Sequence, residues 1–205
     1  MSGLRVIAGS ARGRRLNAVP GEATRPITDR AKEALFNIIG ADIQGASLLD
    51  LFAGTGCVGI EALSRGAAFV RFTDTQHLAI KTIQTNLRLT RLESGAEVLR
   101  LDAFSLLEKA PDRPFDYVFS APPQYRGLWR KALEKLDANP GWLTPDAWVI
   151  VQIHPIEFEP LSLVHLVEFD RRKYGSTLFI FYEHPVSSLQ PPQELPDAPA
   201  EQDDR

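Results

Sequence analysis

The chain has 205 residues, of which 44% are hydrophobic and 24% are charged, and its formal net charge at pH 7 is −3. These values are typical of a soluble globular protein with the length for one full-sized domain. No segment approaches the roughly 20 apolar residues that span a bilayer, and the N-terminus lacks the apolar stretch of a signal peptide, so we expect a cytoplasmic protein. The single cysteine, Cys57, excludes an internal disulfide and a cysteine-cluster metal site.

The small net charge hides an uneven distribution along the chain. Residues 1–32 carry seven basic and two acidic side chains, whereas residues 186–205 carry five acids and one base. The last segment is also rich in proline and poor in large apolar residues, so we expect it to be a disordered tail. A basic end on a chain of low isoelectric point is typical of some nucleic-acid-binding proteins, and we predict such a partner.

The spacing of apolar residues predicts an N-terminal hairpin followed by alternating helices and strands. Residues 4–8 and 14–16 form the two arms of the hairpin, with Gly9 and Gly13 in its bend. Thr28 has the character of a helix N-cap. The elements predicted after it are a helix over 29–39, a strand over 47–52, a helix over 58–65, a strand over 69–74, a helix over 78–91, a strand over 97–101 and a short helix over 103–109.

The second half of the chain continues the alternation and ends on two strands. The predicted elements are a strand over 115–120, a helix over 126–136, a strand over 147–153 and an antiparallel pair over 164–173 and 177–183. This order predicts an α/β, Rossmann-like fold, with a mostly parallel sheet, helices on both faces and an antiparallel C-terminal hairpin. We divide the chain into a basic hairpin or arm (1–27), a Rossmann-like domain (28–185) and the tail (186–205).

A glycine turn joins the first core strand to the helix after it. The run from Leu48 to Ala62 consists of an apolar strand, a Gly-Thr-Gly turn and a helix, and Gly54 and Gly56 lack the Cβ that would keep a ligand away from the main chain. Asp50 lies at the end of the strand, where a carboxylate would meet a positively charged or hydroxyl-bearing ligand. A phosphate-binding loop requires Lys and Ser or Thr after the glycines, and neither follows. The pattern therefore predicts a site for S-adenosylmethionine (SAM) rather than for a nucleotide phosphate.

Acids or prolines stand where four consecutive predicted strands end. Asp50, Asp74 and Asp102 follow the first three strands and Pro122-Pro123 the fourth, and ligands of such a sheet bind at the carboxyl ends of its strands. Asp74 follows Asp50 at about the spacing at which an acid meets ribose hydroxyls in dinucleotide folds, and Asp102 is placed to accept a hydrogen bond from an adenine amine. The predicted cofactor-binding residues are Asp50, Phe52, Gly54, Gly56, Asp74, Asp102 and Ala103.

Four runs of residues form a combination more specific than the glycine turn alone. They are Arg5-Val6-Ile7-Ala8-Gly9, Arg25-Pro26-Ile27-Thr28-Asp29-Arg30, Asp50-Leu51-Phe52-Ala53-Gly54-Thr55-Gly56 and Ile60-Glu61-Ala62-Leu63-Ser64-Arg65-Gly66-Ala67. This combination resembles the RsmD-type family, bacterial methyltransferases that place a methyl group on N2 of a guanine in 16S ribosomal RNA. The resemblance covers residues 4–184 and implies a SAM-dependent enzyme with an RNA-binding N-terminal hairpin. It also implies that Asp50, Gly54 and Gly56 face the methionine end of SAM, Asp74 the ribose and Asp102 the adenine.

The fourth motif departs from the family pattern. The family has Asp-Pro-Pro followed by Tyr or Phe, with Asn for Asp in some relatives, whereas this chain has Ser120-Ala121-Pro122-Pro123-Gln124-Tyr125. In the family pattern the acid accepts one N–H of the target amine, a backbone carbonyl of the turn accepts the other, and the aromatic ring stacks on the extruded base. Ala121 removes the first contact, and the loss of one such transition-state hydrogen bond costs about 2.7–4 kcal/mol. The candidate catalytic residues are Ser120, Ala121, Pro122, Pro123 and Tyr125.

Three hypotheses follow from this departure. In the first, the backbone carbonyl and Tyr125 suffice, with Ser120 or Gln124 as a substitute acceptor, and the chain methylates 16S rRNA or the small ribosomal subunit. In the second, the chain is a DNA amino-methyltransferase that acts on cytosine N4 or adenine N6, because DNA cytosine-N4 methyltransferases carry a similar Ser-Pro-Pro-Tyr motif. In the third, it binds SAM or RNA and has lost catalysis.

Basic side chains near the N-terminus are the predicted nucleic-acid contacts. Four flank the glycine-bearing hairpin, from which arginines reach phosphates, and two flank the start of the first helix, whose N-terminus favours anions. These residues are Arg5, Arg12, Arg14, Arg15, Arg25 and Arg30. The four histidines do not converge in sequence with the acids, so we expect no metal site, and we expect a monomer.

Overall fold

The centre of the molecule is a seven-stranded sheet with helices on both faces. The computed structural model describes residues 4–21 and 27–185, so the predictions for Arg25 and for the tail 186–205 lie outside the described residues. The strands are β1 (Ser47–Asp50), β2 (Phe69–Asp74), β3 (Ala96–Arg100), β4 (Phe115–Ser120), β5 (Leu143–Ile153), β6 (Val167–Tyr174) and β7 (Thr177–Glu183). The helices are α1 (Asp29–Ile39), α2 (Cys57–Ser64), α3 (His77–Thr90), α4 (Ala103–Leu107) and α5 (Leu128–Ala138).

The strand order confirms the predicted fold class. The order across the sheet is β3-β2-β1-β4-β5-β7-β6. The first five strands pair in parallel, and β7 lies antiparallel between β5 and β6. The sheet is thus mostly parallel with an antiparallel C-terminal hairpin. No helix among residues 4–21 and 27–185 is long and apolar enough to cross a membrane.

The sheet separates two hydrophobic clusters. One cluster joins α1, α2 and α3 to the face that carries Phe72 and Phe119, and the other joins α4 and α5 to the face that carries Val118. Neighbouring residues of β4 belong to different clusters because successive side chains of a strand point to opposite faces. Helix α2 lies very close to the sheet, since a Cβ on Gly59 would be 2.3 Å from the Phe72 ring.

The predicted bounds of the elements agree with the structure to within two residues, except at the starts of β5 and β6. β6 begins at Val167 rather than at residue 164 because the Asp137 carboxylate on α5 accepts hydrogen bonds from three consecutive backbone N–H groups. These donors belong to Val164, His165 and Leu166, at 2.7–2.9 Å. A backbone N–H that donates to a carboxylate is not free to pair with a neighbouring strand. Asp137 therefore sets the start of this strand.

β5 begins four residues before the predicted start. Its register against β4 shifts between Phe115 and Tyr117, which is the mark of a bulge. Asp146 has the left-handed φ of 60° in this region. A strand that contains such an irregularity does not keep a strict two-residue alternation, and the sequence pattern therefore missed its first part.

The predicted N-terminal hairpin is present in the structure. Arg5 and Arg15 form an antiparallel bridge. The Leu16 N–H donates to the Leu4 carbonyl at 2.8 Å. Val6 donates its N–H to the Arg14 carbonyl and accepts the Gly13 N–H, both at 2.9 Å. Val6 and Leu16 are buried in the same cluster as helices α1 and α2. The hairpin is therefore packed onto the body of the fold.

Candidate active site

The glycine loop between β1 and α2 leaves a stretch of main chain open. Gly54 and Gly56 have φ values of 52° and 74°, in the left-handed region that favours glycine. Gly56 is the N-cap of α2. A Cβ added to Gly54 would meet nothing within 4 Å, so a ligand has room against the backbone there.

Asp50 is a buried carboxylate at the start of this loop. Its side chain is 2% exposed, and its Oδ1 has no hydrogen-bond partner among the described residues. Burial raises the pKa of Asp50 from 3.8 to about 7; a hydrogen bond from the Gly59 N–H opposes this increase, and the charge of Asp74 adds to it. Native proteins rarely leave a buried polar atom unpaired, and a strongly perturbed carboxyl in a cleft marks a candidate functional site.

Asp74 and Asp102 lie at the ends of β2 and β3 and make local hydrogen bonds. Asp74 accepts the Gly54 N–H on Oδ2 at 2.9 Å and the Gln76 N–H on Oδ1 at 2.8 Å. Asp102 caps α4, with Oδ1 accepting from the Ser105 N–H at 2.9 Å. An ionised carboxylate has about four acceptor positions, so these bonds leave capacity for ligand hydroxyls or amines.

Two apolar residues of the predicted cofactor site lie at the same edge of the sheet. Phe52 is half-buried and packs edge-to-face against Phe104, with ring centroids 5.9 Å apart. Ala103 is buried at the first position of α4. Both residues flank the ends of the strands that carry Asp50 and Asp102.

The ends of β1 and β4 are held side by side. The Leu51 N–H donates to the Phe119 carbonyl at 3.0 Å. Asp50 is the register partner of Phe119, so their side chains share one face of the sheet, and Ala121 packs against the cluster on that face. Ser120 points to the opposite face, where it is buried and its Oγ has no partner among the described residues. Position 121, rather than position 120, thus faces the side that carries Asp50.

The Pro-Pro turn after β4 presents an aromatic ring at its far end. Pro122 is buried, whereas Pro123 and Gln124 are exposed, and the Tyr125 side chain is 66% exposed. Trp129 is buried in α5 and serves the core. Tyr125 is therefore the aromatic residue of this turn that a base can reach.

A fully buried acid that the site predictions had not included connects the hairpin to α2. Glu61 accepts the Ile7 and Ala8 N–H groups at 2.7 and 2.9 Å and the Arg65 guanidinium at 2.9 Å. Lys32 is equally buried, lies 3.4 Å from Glu61, and donates to a hairpin carbonyl. The signal in the sequence was an acid inside an otherwise apolar helix, because buried acids are rarely unpaired.

Two further polar side chains hold the N-terminal segment. Ser64 donates to the Ala8 carbonyl at 2.6 Å and accepts the Ala11 N–H at 2.9 Å. Asn86 on α3 exchanges hydrogen bonds with the main chain of Asn17 and also donates to the Thr55 carbonyl at 2.9 Å. The same asparagine thus touches the N-terminal segment and the glycine loop.

The predicted nucleic-acid residues within the described chain lie at the surface. Arg5 is exposed and pairs with Asp29 at 2.9 Å, so a carboxylate of the chain partly balances its charge. Four others are exposed, and no carboxylate of the described residues forms an ion pair with them: Arg12, Arg14, Arg15 and Arg30. Arg30 and Lys173 line a cavity of about 280 Å³ between the start of α1 and the β6–β7 turn.

A second cavity, of about 360 Å³, lies at the opposite edge of the sheet. It is lined by residues near the beginnings of β1, β4 and β5, among them Asp42 and Asp116, and by none of the predicted site residues. Within residues 4–21 and 27–185, no group of three or more His, Cys, Asp or Glu side chains has the arrangement of a metal site. The predicted cofactor-binding and catalytic residues thus lie at the carboxyl edge of the sheet, away from this second cavity.

Known proteins match this sequence along most of its length. A family model described as conserved hypothetical protein 95 matches residues 4–183. The chain belongs to this family. The Haemophilus influenzae protein named ribosomal RNA small subunit methyltransferase D is 38% identical over 151 residues, which cover 73% of this chain and 78% of that protein. The predicted resemblance of this chain to the RsmD-type family is thereby confirmed. The Bacillus subtilis protein YlbH is 41% identical over 183 residues, covering 88% of this chain and 98% of YlbH.

Solved structures extend the comparison to the fold. The Escherichia coli methyltransferase-type protein yhhF has a TM-score of 0.80 and 32% identity, and the match covers 90% of this chain and 99% of that chain. An RNA methyltransferase from Salinibacter ruber, in complex with S-adenosyl-L-homocysteine, has a TM-score of 0.61 and 15% identity over 85% of this chain and 98% of that chain. This member of the conserved hypothetical protein 95 family therefore has the α/β fold of SAM-dependent methyltransferases.

Proposed function

We propose that the chain is a SAM-dependent methyltransferase that acts on an exocyclic amine of a ribosomal RNA base, namely N2 of a guanine in 16S rRNA. The observation that carries the proposal is the adjacency of the glycine loop and the Pro-Pro turn, which follow two strands whose ends are joined by the Leu51–Phe119 hydrogen bond. A methyl donor on the loop would face a base on the turn. The substrate class is supported by the name of the Haemophilus influenzae relative.

The residues at the carboxyl edge fit SAM. The open main chain at Gly54 and the unpartnered Oδ1 of buried Asp50 offer space and an acceptor for the methionine end. Asp74 would bind the ribose and Asp102 the adenine, as the resemblance implies. When bound, SAM supplies an electrophilic methyl group attached to a positively charged sulfur. The Salinibacter ruber neighbour, which holds S-adenosyl-L-homocysteine, the demethylated product of SAM, supports SAM as the cofactor.

The Pro-Pro turn would orient the target amine. Proline has no N–H, and the carbonyl oxygens of Ala121 and Pro122 accept no hydrogen bond from the described residues, so they are acceptors for an amine N–H. The ring of Tyr125 stacks on the extruded base. Since position 121 has no carboxylate, orientation rests on these carbonyls, and the proton that the amine loses passes to water. Catalysis of this kind is chiefly a matter of positioning.

The test is the identity of the methylated nucleoside. The protein is incubated with SAM and either small ribosomal subunits that lack the modification or unmethylated DNA, and the digested nucleosides are identified by mass spectrometry. N2-methylguanine from the ribosomal sample supports the proposal. N4-methylcytosine or N6-methyladenine from DNA would assign the chain to the DNA amino-methyltransferases instead. Binding of SAM or RNA without product from either sample would make it a homologue that has lost catalysis.

Two variants test the residues of the proposed site. Asp50→Ala should abolish methyl transfer, because it removes the acceptor for the methionine end. Tyr125→Ala should lower the rate by about 10²-fold and leave it measurable, because it removes the stacking ring that orients the base. The matched control is Asp42→Ala, which removes an acid at the opposite edge of the sheet and should retain wild-type activity. Normal turnover in both site variants would contradict the proposal.

A further inference from the structure

The backbone of Tyr125 has a conformation that needs support from its surroundings. Its φ is 62°, in the left-handed region, which costs a residue with a side chain roughly 1–2 kcal/mol. The two prolines before it provide no N–H for local hydrogen bonds. Strained residues of this kind persist only where the surrounding structure determines them, and they cluster at functional sites.

One carboxylate provides this support from another part of the chain. The Tyr125 N–H donates to Oε2 of Glu157 at 2.6 Å, across 32 residues of sequence. The other oxygen, Oε1, accepts the His154 N–H at 3.2 Å. Glu157 thereby connects the turn after β4 to the turn after β5, and hydrogen bonds to an ionised acceptor are about twice as strong as neutral ones.

The turn after β5 is itself a closed structure. His154 caps a short 3-10 turn over Pro155–Glu157, and its side chain accepts the Ile156 N–H at 3.3 Å while Glu157 reaches back to the His154 N–H. The rings of His154 and Tyr125 are neighbours, with centroids 5.8 Å apart and an angle of 44° between their planes. The turn therefore fixes the position of Glu157. The hydrogen bond that the Tyr125 N–H donates to Glu157 in turn fixes the position of the exposed Tyr125 ring.

We infer that Glu157 is a positioning residue for the substrate base: it holds Tyr125 in the left-handed conformation that presents the ring at the carboxyl edge. This inference rests on the proposed function, in which that ring stacks on the target base. Position 121 lacks the family's acid, so the orientation of the base depends more heavily on the stacking contact. A displacement of about 1 Å at a reacting group can reduce the rate by roughly 10²-fold.

The test compares the kinetics of three variants on unmodified small ribosomal subunits. Glu157→Ala should lower kcat by about 10- to 100-fold and leave KM for the subunit and the Kd for SAM within about twofold, because the particle is bound chiefly through phosphates. Glu157→Gln keeps an acceptor of nearly the same shape and should recover part of the loss. The control is Glu159→Ala, which removes an exposed acid two residues after Glu157. Glu159 pairs with Arg130 and not with Tyr125, so its loss should leave kcat unchanged.

A double variant separates positioning from general stabilisation. If Glu157 acts through Tyr125, the Glu157→Ala/Tyr125→Ala protein should be no slower than Tyr125→Ala alone. Thermal unfolding of each variant shows whether it is folded. If Glu157→Ala does not fold, Glu157→Gln replaces it in the kinetic comparison and in the double variant. An unchanged kcat in Glu157→Ala, or losses that multiply in the double variant, would overturn the inference while leaving the proposed function intact. A wild-type protein that yields no methylated rRNA would overturn both.

Discussion

Asp50 is a carboxylate that the fold removes from water while leaving its Oδ1 without a partner among the described residues. Its local sequence, an acid at the end of an apolar strand, predicts its place at the carboxyl edge but not its protonation. The pKa of about 7 follows from burial beneath α2, and the Gly59 N–H only partly offsets that effect. With a pKa of about 7, Asp50 changes its protonation state near neutral pH, so a positively charged ligand group beside it would favour the ionised carboxylate.

The pKa of Asp50 predicts a pH-dependent stability. Between pH 4 and 7 the folded state holds a proton that the unfolded state has released, so the unfolding free energy of the ligand-free protein should fall as pH rises through this range. The shift from 3.8 to about 7 corresponds to about 4 kcal/mol. Asp50→Asn should remove this contribution, which urea unfolding of both proteins at pH 5 and pH 7.5 would measure. Equal pH dependence in the two proteins would contradict the prediction.

Ala121 permits a gain-of-function experiment. Ala121→Asp places an acceptor on the face of the sheet that carries Asp50, and one added transition-state hydrogen bond is expected to raise kcat by about 10²-fold. Ala121→Val, which adds bulk without an acceptor, is the control. The measurement is methyl transfer to unmodified small subunits. An unchanged or lower rate for the Asp variant would mean that the present turn already orients the amine fully.

Helix α2 serves two regions of the molecule at once. Its first turn closes the glycine loop, and its later residues, Glu61 and Ser64, hold the N-terminal hairpin by hydrogen bonds to main-chain groups. A Cβ on Gly9 would lie 1.8 Å from the Ser64 carbonyl oxygen, so the hairpin can approach the helix only with glycine at that position. The predicted RNA-binding arm and the predicted cofactor loop therefore share one rigid support.

Glu61→Ala should be strongly destabilising. The substitution leaves buried Lys32 without its carboxylate and two hairpin N–H groups without acceptors, and loss of one partner of a buried ion pair costs about 3–5 kcal/mol. The free energy of unfolding from urea titration is the measurement. The control is Glu33→Ala, which removes an exposed acid on α1 and should change the free energy of unfolding by less than about 0.5 kcal/mol. A similarly small change for Glu61→Ala would show that the network is not needed for stability.

At the scale of the whole molecule, the basic side chains differ in whether a carboxylate of the described residues pairs with them. Arg12 and Arg14 are exposed without a carboxylate partner among the described residues, whereas Arg171 and Arg172 on β6 pair with Glu168 and Asp170. A surface for RNA phosphates needs charge that the protein itself does not satisfy. The hairpin meets this condition and the middle of β6 does not.

The salt dependence of RNA binding tests this difference. In the Arg12→Ala/Arg14→Ala protein, the slope of log affinity against log salt should decrease by about 0.7–0.9 for each phosphate that the hairpin no longer neutralises. Arg171→Ala/Arg172→Ala removes the same number of charges and should leave the slope nearly unchanged. Binding of labelled 16S rRNA fragments at several salt concentrations gives both slopes. Equal decreases in the two proteins would mean that the hairpin has no special role.

Most of the fold was predictable from the sequence because its signals are local. Short apolar runs of strand length, the N-cap at Thr28 and the glycines of the loop all act within a few residues. The structure confirms α1, β2, β4 and β7 with the predicted bounds. Acids at successive strand ends meet at one edge once the sheet is parallel, so the gathering of Asp50, Asp74 and the Pro-Pro turn could also be anticipated. The roles of these residues toward a ligand stay predictions.

The amino-acid pattern was enough to establish the order of elements, the parallel sheet and the edge at which ligands would bind, since each depends on periodicity and turn chemistry along the chain. The side chains that hold those parts together became visible only in the folded molecule. Glu61 and Ala8 are 53 residues apart in sequence, Glu157 and Tyr125 are 32 apart, and Asp137 and Val164 are 27 apart. These hydrogen bonds form because packing brings distant segments together and excludes water from them, and the same burial raises the pKa of Asp50.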